Sequence, residues 1–309
     1  MNLLLTGASG FLGRNFLRRA PEDWRIIAVY RRDLTFPHFV STLKRPTVTP
    51  VRCDLGDTAE VAAFAQQHGR EWDSCLYLSA KVDIPWSVTE PKQDLIANAA
   101  PLLNLLEAIH TQRFVYFSSG AVYDGLRGEV SPDVFVSPTL PYAITKLACE
   151  AYVRFYHARR RSIDQWLLVR FFGAYGPYEA PHKIHSRLVR TFALEGKNSY
   201  TIYGDGQNLI DAMYVDDAAD AIHHILTGSH WNTTLDLCSG HPLTIEALVH
   251  AAGEALGLAP VQVKKLGLAH ENIQFRATTR AIHEHYGFTA NTPLAEGISR
   301  LRDFLLLAR

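Results

Sequence analysis

A phenol and an ammonium stand four residues apart in the middle of the chain, in the stretch Tyr142-Ala143-Ile144-Thr145-Lys146. The apolar spacing from Leu140 to Arg160 predicts a helix, on which positions i and i+4 share one face. A tyrosine side chain titrates near pH ~10 in water, which is too high for a base at neutral pH. A cation beside it favours the phenolate, so Lys146 would lower the pKa of Tyr142 toward the working range. Because this spacing also occurs by chance on many helices, the rest of the chain must decide whether the pair is an acid/base.

A glycine-rich turn follows the short apolar run Leu3 to Leu5 near the start of the chain, in the stretch Thr6-Gly7-Ala8-Ser9-Gly10-Phe11-Leu12-Gly13. Apolar residues at helical spacing come next, so the order is strand, glycine turn, helix, as a phosphate-binding loop requires. Gly7 permits a tight turn, Gly10 lets the backbone approach a pyrophosphate, and Gly13 lets the helix pack on the strand. The helix N-terminus then offers free N–H groups to an anion. This pattern predicts a dinucleotide site that includes Gly7, Gly10, Phe11, Leu12 and Gly13.

Two arginines, Arg31 and Arg32, follow the second predicted strand, Arg25 to Tyr30. A carboxylate usually holds the ribose hydroxyls of NAD at this place, whereas a planar guanidinium suits the 2′-phosphate of NADP. We therefore expect NADP(H) to be favoured, with NAD(H) as the alternative cofactor. In that alternative the arginines are solvated at the strand end and Asp33 binds the ribose.

Strand and helix patterns alternate six times in about the first 170 residues. This predicts an α/β fold, a doubly wound parallel sheet of the Rossmann type with helices on both faces. Ligands of such sheets bind beyond the C-terminal ends of the strands. The further residues predicted to bind the cofactor are Asp54, Leu55, Leu78, Ser79, Ala80, Asn98 and Phe172.

The second part of the chain is more irregular in its pattern. We expect residues 1–171 to form the NAD(P)-binding Rossmann-type domain. Residues 172–309 are expected to form mainly a small C-terminal substrate-binding lobe that is interleaved with the main sheet.

Composition excludes several classes of partner. The 309 residues include 31 basic and 31 acidic side chains, so the zero net charge gives no electrostatic case for nucleic acid or an anionic membrane. No apolar run of about eighteen residues predicts a transmembrane helix. The histidines and the four cysteines show no zinc-type spacing, so no metal site is expected. Unpaired cysteine spacing and a start without signal-peptide features predict a cytoplasmic protein.

Several stretches together resemble the extended short-chain dehydrogenase/reductase family, the NAD(P)-dependent epimerase/dehydratase group that acts on nucleotide sugars. The resemblance covers essentially the whole chain, and it is specific because the stretches occur in the family's order. After the glycine turn these are Phe117-Ser118-Ser119-Gly120-Ala121-Val122-Tyr123, Tyr142-xxx-Lys146, Arg170-Phe171-Phe172-Gly173-Ala174-Tyr175-Gly176-Pro177 and Tyr214-Val215-Asp216-Asp217.

The resemblance implies a role for each residue of the central motif. Tyr142 is the acid/base, and Lys146 lowers its pKa and holds the nicotinamide ribose. Ser119, rather than Ser118, aligns with the Ser/Thr that hydrogen-bonds the reacting oxygen. A hydroxyl at a strand end can orient a carbonyl or alcohol in this way, and helix capping or turn formation is expected of one of the two serines. The resemblance also implies a homodimer formed by the helices near Pro91 to His110 and Leu140 to Arg160.

Departures from the family pattern narrow the reaction. Relatives that eliminate water carry an Asp-Glu pair where this chain has Gly120 and Ala121, and decarboxylating relatives keep the glutamate. Relatives that epimerise C3 and C5 carry a cysteine at the Ala121 position. An arginine that usually contacts the substrate diphosphate is Ile210 here, and an asparagine of the family is Gly173. After these exclusions, the expected reaction is a hydride transfer at a single sugar carbon.

We therefore expect an enzyme of this family, an NADPH-dependent 4-keto-sugar reductase acting on a sugar or nucleotide-sugar substrate. Arg31 and Arg32 favour this reading, together with the missing acid/base groups at Gly120 and Ala121. An NAD-dependent nucleotide-sugar 4-epimerase is the alternative. A non-catalytic, cofactor-binding regulator is the third reading, and an intact Ser119, Tyr142 and Lys146 oppose it.

Overall fold

The apolar run near the start of the chain forms a strand, Asn2–Thr6, in the middle of a seven-stranded sheet, and Leu3, Leu4 and Leu5 are fully buried. Burial on both faces is expected of a strand in a parallel sheet that helices cover. The computed structural model describes residues 1–258, 260–267 and 273–307.

The strands of the described residues are β1 (Asn2–Thr6), β2 (Arg25–Tyr30), β3 (Val48–Arg52), β4 (Glu71–Tyr77), β5 (His110–Ser119), β6 (Arg127–Val130), β7 (Ile163–Phe171), β8 (Ala174–Tyr175), β9 (Ser199–Tyr203), β10 (Leu209–Ile210), β11 (Met213–Tyr214), β12 (Thr233–Leu237), β13 (Leu243–Thr244), β14 (Gln262–Leu266) and β15 (Gln274–Ala277). The α-helices are α1 (Phe11–Arg19), α2 (Phe36–Thr42), α3 (Thr58–His68), α4 (Ile84–Thr89), α5 (Pro91–Ala108), α6 (Pro141–Phe155), α7 (Ile184–Val189), α8 (Val215–Thr227), α9 (Ile245–Ala255), α10 (Arg280–Tyr286) and α11 (Leu294–Leu307).

The large sheet has the order β12-β7-β5-β4-β1-β2-β3. The pairs β1–β2, β1–β4, β2–β3, β4–β5 and β5–β7 are parallel. The direction in which successive strands are added reverses at β1, and such a reversal opens a crevice beyond the C-terminal strand ends. Pro50, which lacks a backbone donor, lies on the edge strand β3, where the sheet tolerates it. The predicted doubly wound, Rossmann-type α/β fold is confirmed.

Local sequence explains where the helices of the sheet begin and end. Asp57 caps α3 by accepting hydrogen bonds from the backbone N–H groups of Ala59 and Glu60. Pro141 begins α6, where its fixed φ suits a first turn. This helix ends at Phe155, and the rest of the predicted helix is the π-helical turn Tyr156–Arg160. The position of the predicted helix is therefore confirmed, but its last turn is a π-helix and not an α-helix.

The chain divides into two units. The first contains Met1–Gly125, Pro132–Phe171 and Ile225–Leu235. The second contains Leu126–Ser131, Phe172–His224 and Asp236–Arg309. We predicted a boundary between residues 171 and 172. Each unit also contains a segment from the other side of that boundary. Short strands that pair far along the chain cause this exchange, because β6 belongs to the second unit through its pairing with β15.

The second unit is built from two-stranded pairings and helices. Its strands pair as β10–β13, β8–β11, β9–β14 and β6–β15. A separate apolar cluster, which includes Leu188, Phe192, Val249 and Leu301, forms its core. Among the described residues of the whole chain, no helix combines the length and apolar character needed to cross a bilayer.

Candidate active site

The glycine turn between β1 and α1 is closed so tightly that two of its positions have no room for a side chain. Gly7 has φ +66°, and a Cβ there would lie 2.8 Å from the backbone of Leu78 and Ser79. A Cβ on Gly13 would lie 2.6 Å from the carbonyl oxygens of Gly7 and Ala8. Only glycine therefore allows α1 to begin this close to β1 and β4. Phe11, Leu12 and Gly13 form the first turn of that helix.

A cavity of about 460 Å³ lies at the C-terminal end of the sheet in the first unit. Residues that we predicted to bind the cofactor form much of its wall: Gly7, Gly10, Arg31, Arg32, Asp54, Leu55, Leu78, Ser79 and Ala80. Sequence reasoning missed other wall residues, among them Ser9, Cys53, Lys81, Ala97 and Pro101. Ser9 lies in the turn itself and Cys53 directly follows β3, whereas Ala97 and Pro101 reach the cavity through the packing of α5, which local patterns do not encode. The glycine cradle and the cavity together fit a dinucleotide.

Charges of both signs surround the end of β2. Asp33 accepts a hydrogen bond of 2.6 Å from Arg14 and two more from Thr35. Burial opposes the ionised form, but these hydrogen bonds hold the pKa of Asp33 below its ordinary value. Arg31 stands 3.8 Å from a carboxylate oxygen of Asp54, and both side chains are partly exposed. Asp33 is therefore engaged by Arg14, whereas Arg31 and Arg32 stand at the exposed rim of the cavity.

The three predicted catalytic residues come together within the first unit, and none of them lines this cavity. Ser119 ends β5, and its hydroxyl hydrogen-bonds Tyr142 while accepting from the backbone N–H of Ala121 at 3.1 Å. Tyr142 and Lys146 on α6 are only 3% and 2% exposed. The Lys146 ammonium donates to the carbonyl of Phe117 at 2.6 Å. The strand end and the helix thus hold a hydroxyl, a phenol and an ammonium in one buried cluster.

The protonation of this cluster differs from the expectation based on sequence. Burial raises the pKa of Tyr142 above its ordinary value, and the hydrogen bond from Ser119 only partly opposes that rise. Burial also lowers the pKa of Lys146 to about 8, against the charges of Glu150 and Asp94. The expected lowering of the Tyr142 pKa by Lys146 is wrong for the protein alone, since desolvation outweighs it and the ammonium binds Phe117.

Ser118, the neighbour of Ser119, has a structural partner. Its hydroxyl donates to Glu150 at 2.6 Å, and Arg170 binds both oxygens of the same carboxylate at 3.1 and 3.0 Å. Arg170 also donates to the hydroxyl of Tyr123 at 3.1 Å. All of these side chains are buried. This network fixes the end of β5 against α6 and β7, and it leaves Ser119 as the serine beside Tyr142.

Several residues predicted to bind the cofactor do not line this cavity: Phe11, Leu12, Gly13, Asn98, Tyr142, Lys146 and Phe172. Asn98 does not line the cavity, because its amide is engaged by the backbone of Lys81 at 2.8 and 3.3 Å and by Asp94 at 3.0 Å. Asn98 therefore supports the backbone of Lys81, which lines the cavity, without lining the cavity itself. Phe172 is the first residue of its segment of the second unit, where its ring packs edge-on against Phe275.

The second unit encloses its own cavity of about 590 Å³. Ile210 and Ala212 line it together with Tyr175 and His185, whose rings stack at 4.3 Å. Burial lowers the pKa of His185 to about 3, so this imidazole is neutral at physiological pH. In the part of the chain that the structure describes, no group of three or more His, Cys, Asp or Glu side chains could hold a metal ion.

Comparisons with known proteins agree with this geometry. The family model described as "NAD dependent epimerase/dehydratase family" matches residues 3–233. The dTDP-glucose 4,6-dehydratase of Streptomyces antibioticus is 27% identical over 321 residues, covering 98% of this chain and 92% of that protein.

Two solved structures are similar over the whole chain. MoeE5, solved in complex with UDP-glucuronic acid and NAD, is 27% identical, with a TM-score of 0.83 and 100% of both chains covered. The UDP-glucuronic acid 4-epimerase of Bacillus cereus, in complex with UDP-glucuronic acid and NAD, has a TM-score of 0.87 at 22% identity and covers 100% of both chains. At that identity the second likeness supports the fold alone.

Proposed function

The chain belongs to the NAD dependent epimerase/dehydratase family, and on that premise we propose that it is an NAD(H)-dependent 4-epimerase of a nucleotide-linked sugar. The observation that carries the proposal is the buried cluster of Ser119, Tyr142 and Lys146. Beside it, the turn after β5 begins with Gly120 and Ala121, which have no group that transfers a proton. Tyr142 is then the acid/base of the site, and epimerisation at one carbon needs no other.

The same turn argues against dehydration, although the relatives include dTDP-glucose 4,6-dehydratases. Elimination of water needs a base for one carbon and an acid for the leaving hydroxyl. The resemblance to the family places these groups at positions occupied here by Gly120 and Ala121. A 4,6-dehydratase activity is therefore not part of the proposal.

Each residue of the cluster has a stated task in the proposed reaction. Tyr142 takes the proton of the sugar hydroxyl and later returns it to the same oxygen. Ser119 donates a hydrogen bond to that oxygen and orients it. Lys146 would hold the nicotinamide ribose and would favour the Tyr142 phenolate once the cofactor is bound. The dinucleotide, when bound, supplies the hydride transfer.

We propose NAD(H) rather than the NADP(H) that the sequence favoured. MoeE5, which is 27% identical to this chain, was solved in complex with NAD. Arg31 faces the carboxylate of Asp54, so the rim of the cavity offers mixed charge rather than a purely cationic site for a 2′-phosphate.

We further propose a nucleoside diphosphate as the carrier of the sugar, because MoeE5 was solved with UDP-glucuronic acid and with UDP-glucose. Ile210 and Gly173 cannot bind a diphosphate through charge. The second unit offers the exposed cations Lys183, Arg187 and Arg276 for this purpose.

The test begins with the purified protein and no added cofactor. The bound dinucleotide is released by denaturation and identified by chromatography and mass spectrometry. The protein is then incubated with UDP-glucose, UDP-glucuronic acid, UDP-N-acetylglucosamine and dTDP-glucose, and NMR follows the 4-epimers. We expect NAD(H) and the 4-epimer of at least one sugar, formed without net consumption of cofactor. A 4-keto-6-deoxy product, or no turnover of any sugar nucleotide, would refute the proposal.

A 4-keto-sugar reductase is the second candidate, and Arg31 with Arg32 at the cavity rim favours it. Net reduction consumes NADPH, whereas epimerisation recycles the cofactor. Stoichiometric oxidation of NADPH by a 4-keto sugar nucleotide would support the reductase. The Arg31→Ala/Arg32→Ala variant should then lose its preference for NADPH over NADH, and an unchanged ratio would reject that role of the arginines.

Two further properties belong to the proposal. The buried, unpaired thiols of Cys53, Cys75, Cys149 and Cys238 support a reducing, cytoplasmic compartment. Exposed apolar side chains on α5 and α6 support a homodimer through these helices.

A further inference from the structure

Arg14 contacts two parts of the wall of the dinucleotide cavity in the first unit. It lies on α1, directly after Gly13 of the glycine turn, and its side chain is 11% exposed. Its Nε donates to the backbone carbonyl of Ser9 at 3.0 Å, and its Nη2 donates to Oδ2 of Asp33 at 2.6 Å. Ser9 and Asp33 line the cavity, whereas Arg14 is not among the lining residues. The guanidinium therefore joins the glycine turn to the segment after β2 without lining the cavity itself.

Two aromatic rings fix the position of this guanidinium. The Cζ atom of Arg14 lies 4.6 Å from the centroid of the Phe39 ring and 5.5 Å from the centroid of the Phe36 ring. Both phenylalanines belong to α2, and both are buried. Contacts between a guanidinium and an aromatic face are favourable, and they restrict where the guanidinium can point. Arg14 is therefore held against Asp33 by packing as well as by charge.

Neighbouring donors occupy most of the Asp33 carboxylate. Its Oδ1 accepts from the backbone N–H and the hydroxyl of Thr35 at 3.0 and 2.7 Å, and its Oδ2 accepts from Arg14. A carboxylate has about four acceptor positions, so among the described residues these three donors leave about one position open. A carboxylate at this place in the fold usually accepts from the ribose hydroxyls of NAD. Asp33 thus has little capacity left for that purpose, and Arg14 neutralises the charge with which it would repel a 2′-phosphate.

The balance of charge at this end of the cavity depends on Arg14. The charged residues that line the cavity after β2 and β3 are Arg31, Arg32, Asp33 and Asp54. Arg31 stands 3.8 Å from a carboxylate oxygen of Asp54. With Arg14 bound to Asp33, each carboxylate has an arginine partner, and Arg32 adds further positive charge. Without Arg14, the charges of the lining residues would cancel.

We propose that Arg14 is a positioning residue that sets the preference of the cavity between NAD(H) and NADP(H). It acts through Asp33, because the pairing uses acceptor capacity that the NAD ribose needs and neutralises the charge that repels a 2′-phosphate. The cavity therefore binds NAD(H), as proposed above, and discriminates only weakly against NADP(H). This inference rests on the dinucleotide site of the proposed function, and it is independent of the sugar and of the reaction.

The test measures the ratio of the two affinities by competition, without a sugar substrate. The purified protein is equilibrated with mixtures of NAD⁺ and NADP⁺, and the bound dinucleotides are released by denaturation and quantified by mass spectrometry. Arg14→Gln removes the charge and keeps a side-chain donor for Asp33. NADP⁺ then loses a neighbouring cation, whereas NAD⁺ has no charge at the 2′ position, so the ratio should shift toward NAD⁺ by about tenfold. A shift of less than about twofold would overturn the proposal.

Two further variants separate this role from a structural one, because a loss of packing weakens the binding of both dinucleotides and leaves their ratio in place. Arg14→Lys keeps the charge and loses the forked donor geometry, so its ratio should stay closer to that of the unchanged protein. Arg18→Gln removes a charge one turn further along α1, where the side chain contacts Asn15, and it should leave the ratio unchanged. A shift in either variant as large as that in Arg14→Gln would overturn the proposal.

Asp33→Asn keeps the proposal testable if Arg14→Gln does not fold. The amide leaves the charge of Arg14 uncompensated, so the ratio should shift toward NADP⁺, opposite to the shift in Arg14→Gln. A shift toward NAD⁺, or none, would overturn the proposal. If the unchanged protein binds neither dinucleotide, the proposed function fails together with this inference. Binding of the dinucleotides with an unaltered ratio in both variants rejects this inference alone.

Discussion

At the scale of single residues, desolvation dominates the chemistry of the catalytic cluster. Tyr142 and Lys146 are both buried, and burial moves both toward their neutral forms. A phenol in this state is a poor base near pH 7. A positive charge brought beside the phenol by the oxidised cofactor favours the phenolate. In the proposed reaction, deprotonation of Tyr142 would therefore depend on positive charge from the bound cofactor.

The first prediction concerns the phenol. Tyr142→Phe should lower kcat by about 10²- to 10⁴-fold, because it removes the acid/base and keeps the packed ring. Its Tm should stay close to that of the unchanged protein. Tyr156→Phe is the matched control, since it removes a hydroxyl that binds Glu107 at 2.7 Å beyond the end of the same helix. Comparable turnover of the two variants would show that Tyr142 is not the acid/base of the reaction.

The second prediction concerns the glycine turn. Gly13→Ala places a methyl group 2.6 Å from two carbonyl oxygens, so α1 must move away from β1. We expect at least a tenfold loss of NAD⁺ affinity by calorimetry, at about 1.4 kcal/mol per factor of ten, together with a lower Tm. Gly267→Ala is the control, because no atom of the described residues lies within 4 Å of its added Cβ. Equal affinities of both variants would contradict the assignment of this turn.

At the scale of elements, a buried ion pair fastens α6 to β7. Glu150→Ala should destabilise the protein by about 3–5 kcal/mol, because it leaves the charge of Arg170 buried without its partner. Chemical denaturation followed by circular dichroism measures this loss. The exposed pair Glu195–Lys197 provides the control, and its removal should cost less than about 1 kcal/mol. A loss below that level for Glu150→Ala would show that water reaches Arg170.

The same scale shows what sequence could and could not predict. The glycine turn and the apolar strands are local patterns, so β1, β2 and the strand-end positions of the cavity were predictable. Strand β6 was not, because Arg127–Val130 has no strand pattern of its own and pairs with Gln274–Ala277 far along the chain. Arg14 was missed for a related reason, since its contact with Asp33 joins two segments of the chain and an arginine usually faces water. The predicted direction of the Tyr142 pKa shift was wrong because a sequence does not show that this side chain is buried.

At the scale of the whole molecule, α5 and α6 expose apolar side chains on the first unit. Leu95 is 48% exposed, Ile144 50%, Tyr152 42% and Phe155 44%. Apolar exposure of this kind on two packed helices fits a symmetric interface with a second copy of the chain.

The fourth prediction tests that interface. Analytical ultracentrifugation should find a dimer for the unchanged protein and a monomer for Tyr152→Glu/Phe155→Glu, because two buried carboxylates would face each other across the axis. The exposed residue Leu34 belongs to neither helix, so Leu34→Glu is the control and should stay dimeric. A monomeric unchanged protein would reject the interface, and so would a dimeric double variant.

The order of the segments along the chain also has a consequence for biosynthesis. Strand β7 ends at Phe171, but its neighbour β12 begins only at Thr233, after the segment Phe172–His224 of the second unit. On a ribosome that adds about 5–20 residues per second, β7 waits roughly 3–12 s for that neighbour. During this time the apolar β7 presents an open hydrogen-bonding edge to other nascent chains. A chaperone that shields this edge until residue 237 has emerged would therefore raise the yield of native protein more than one that acts after release.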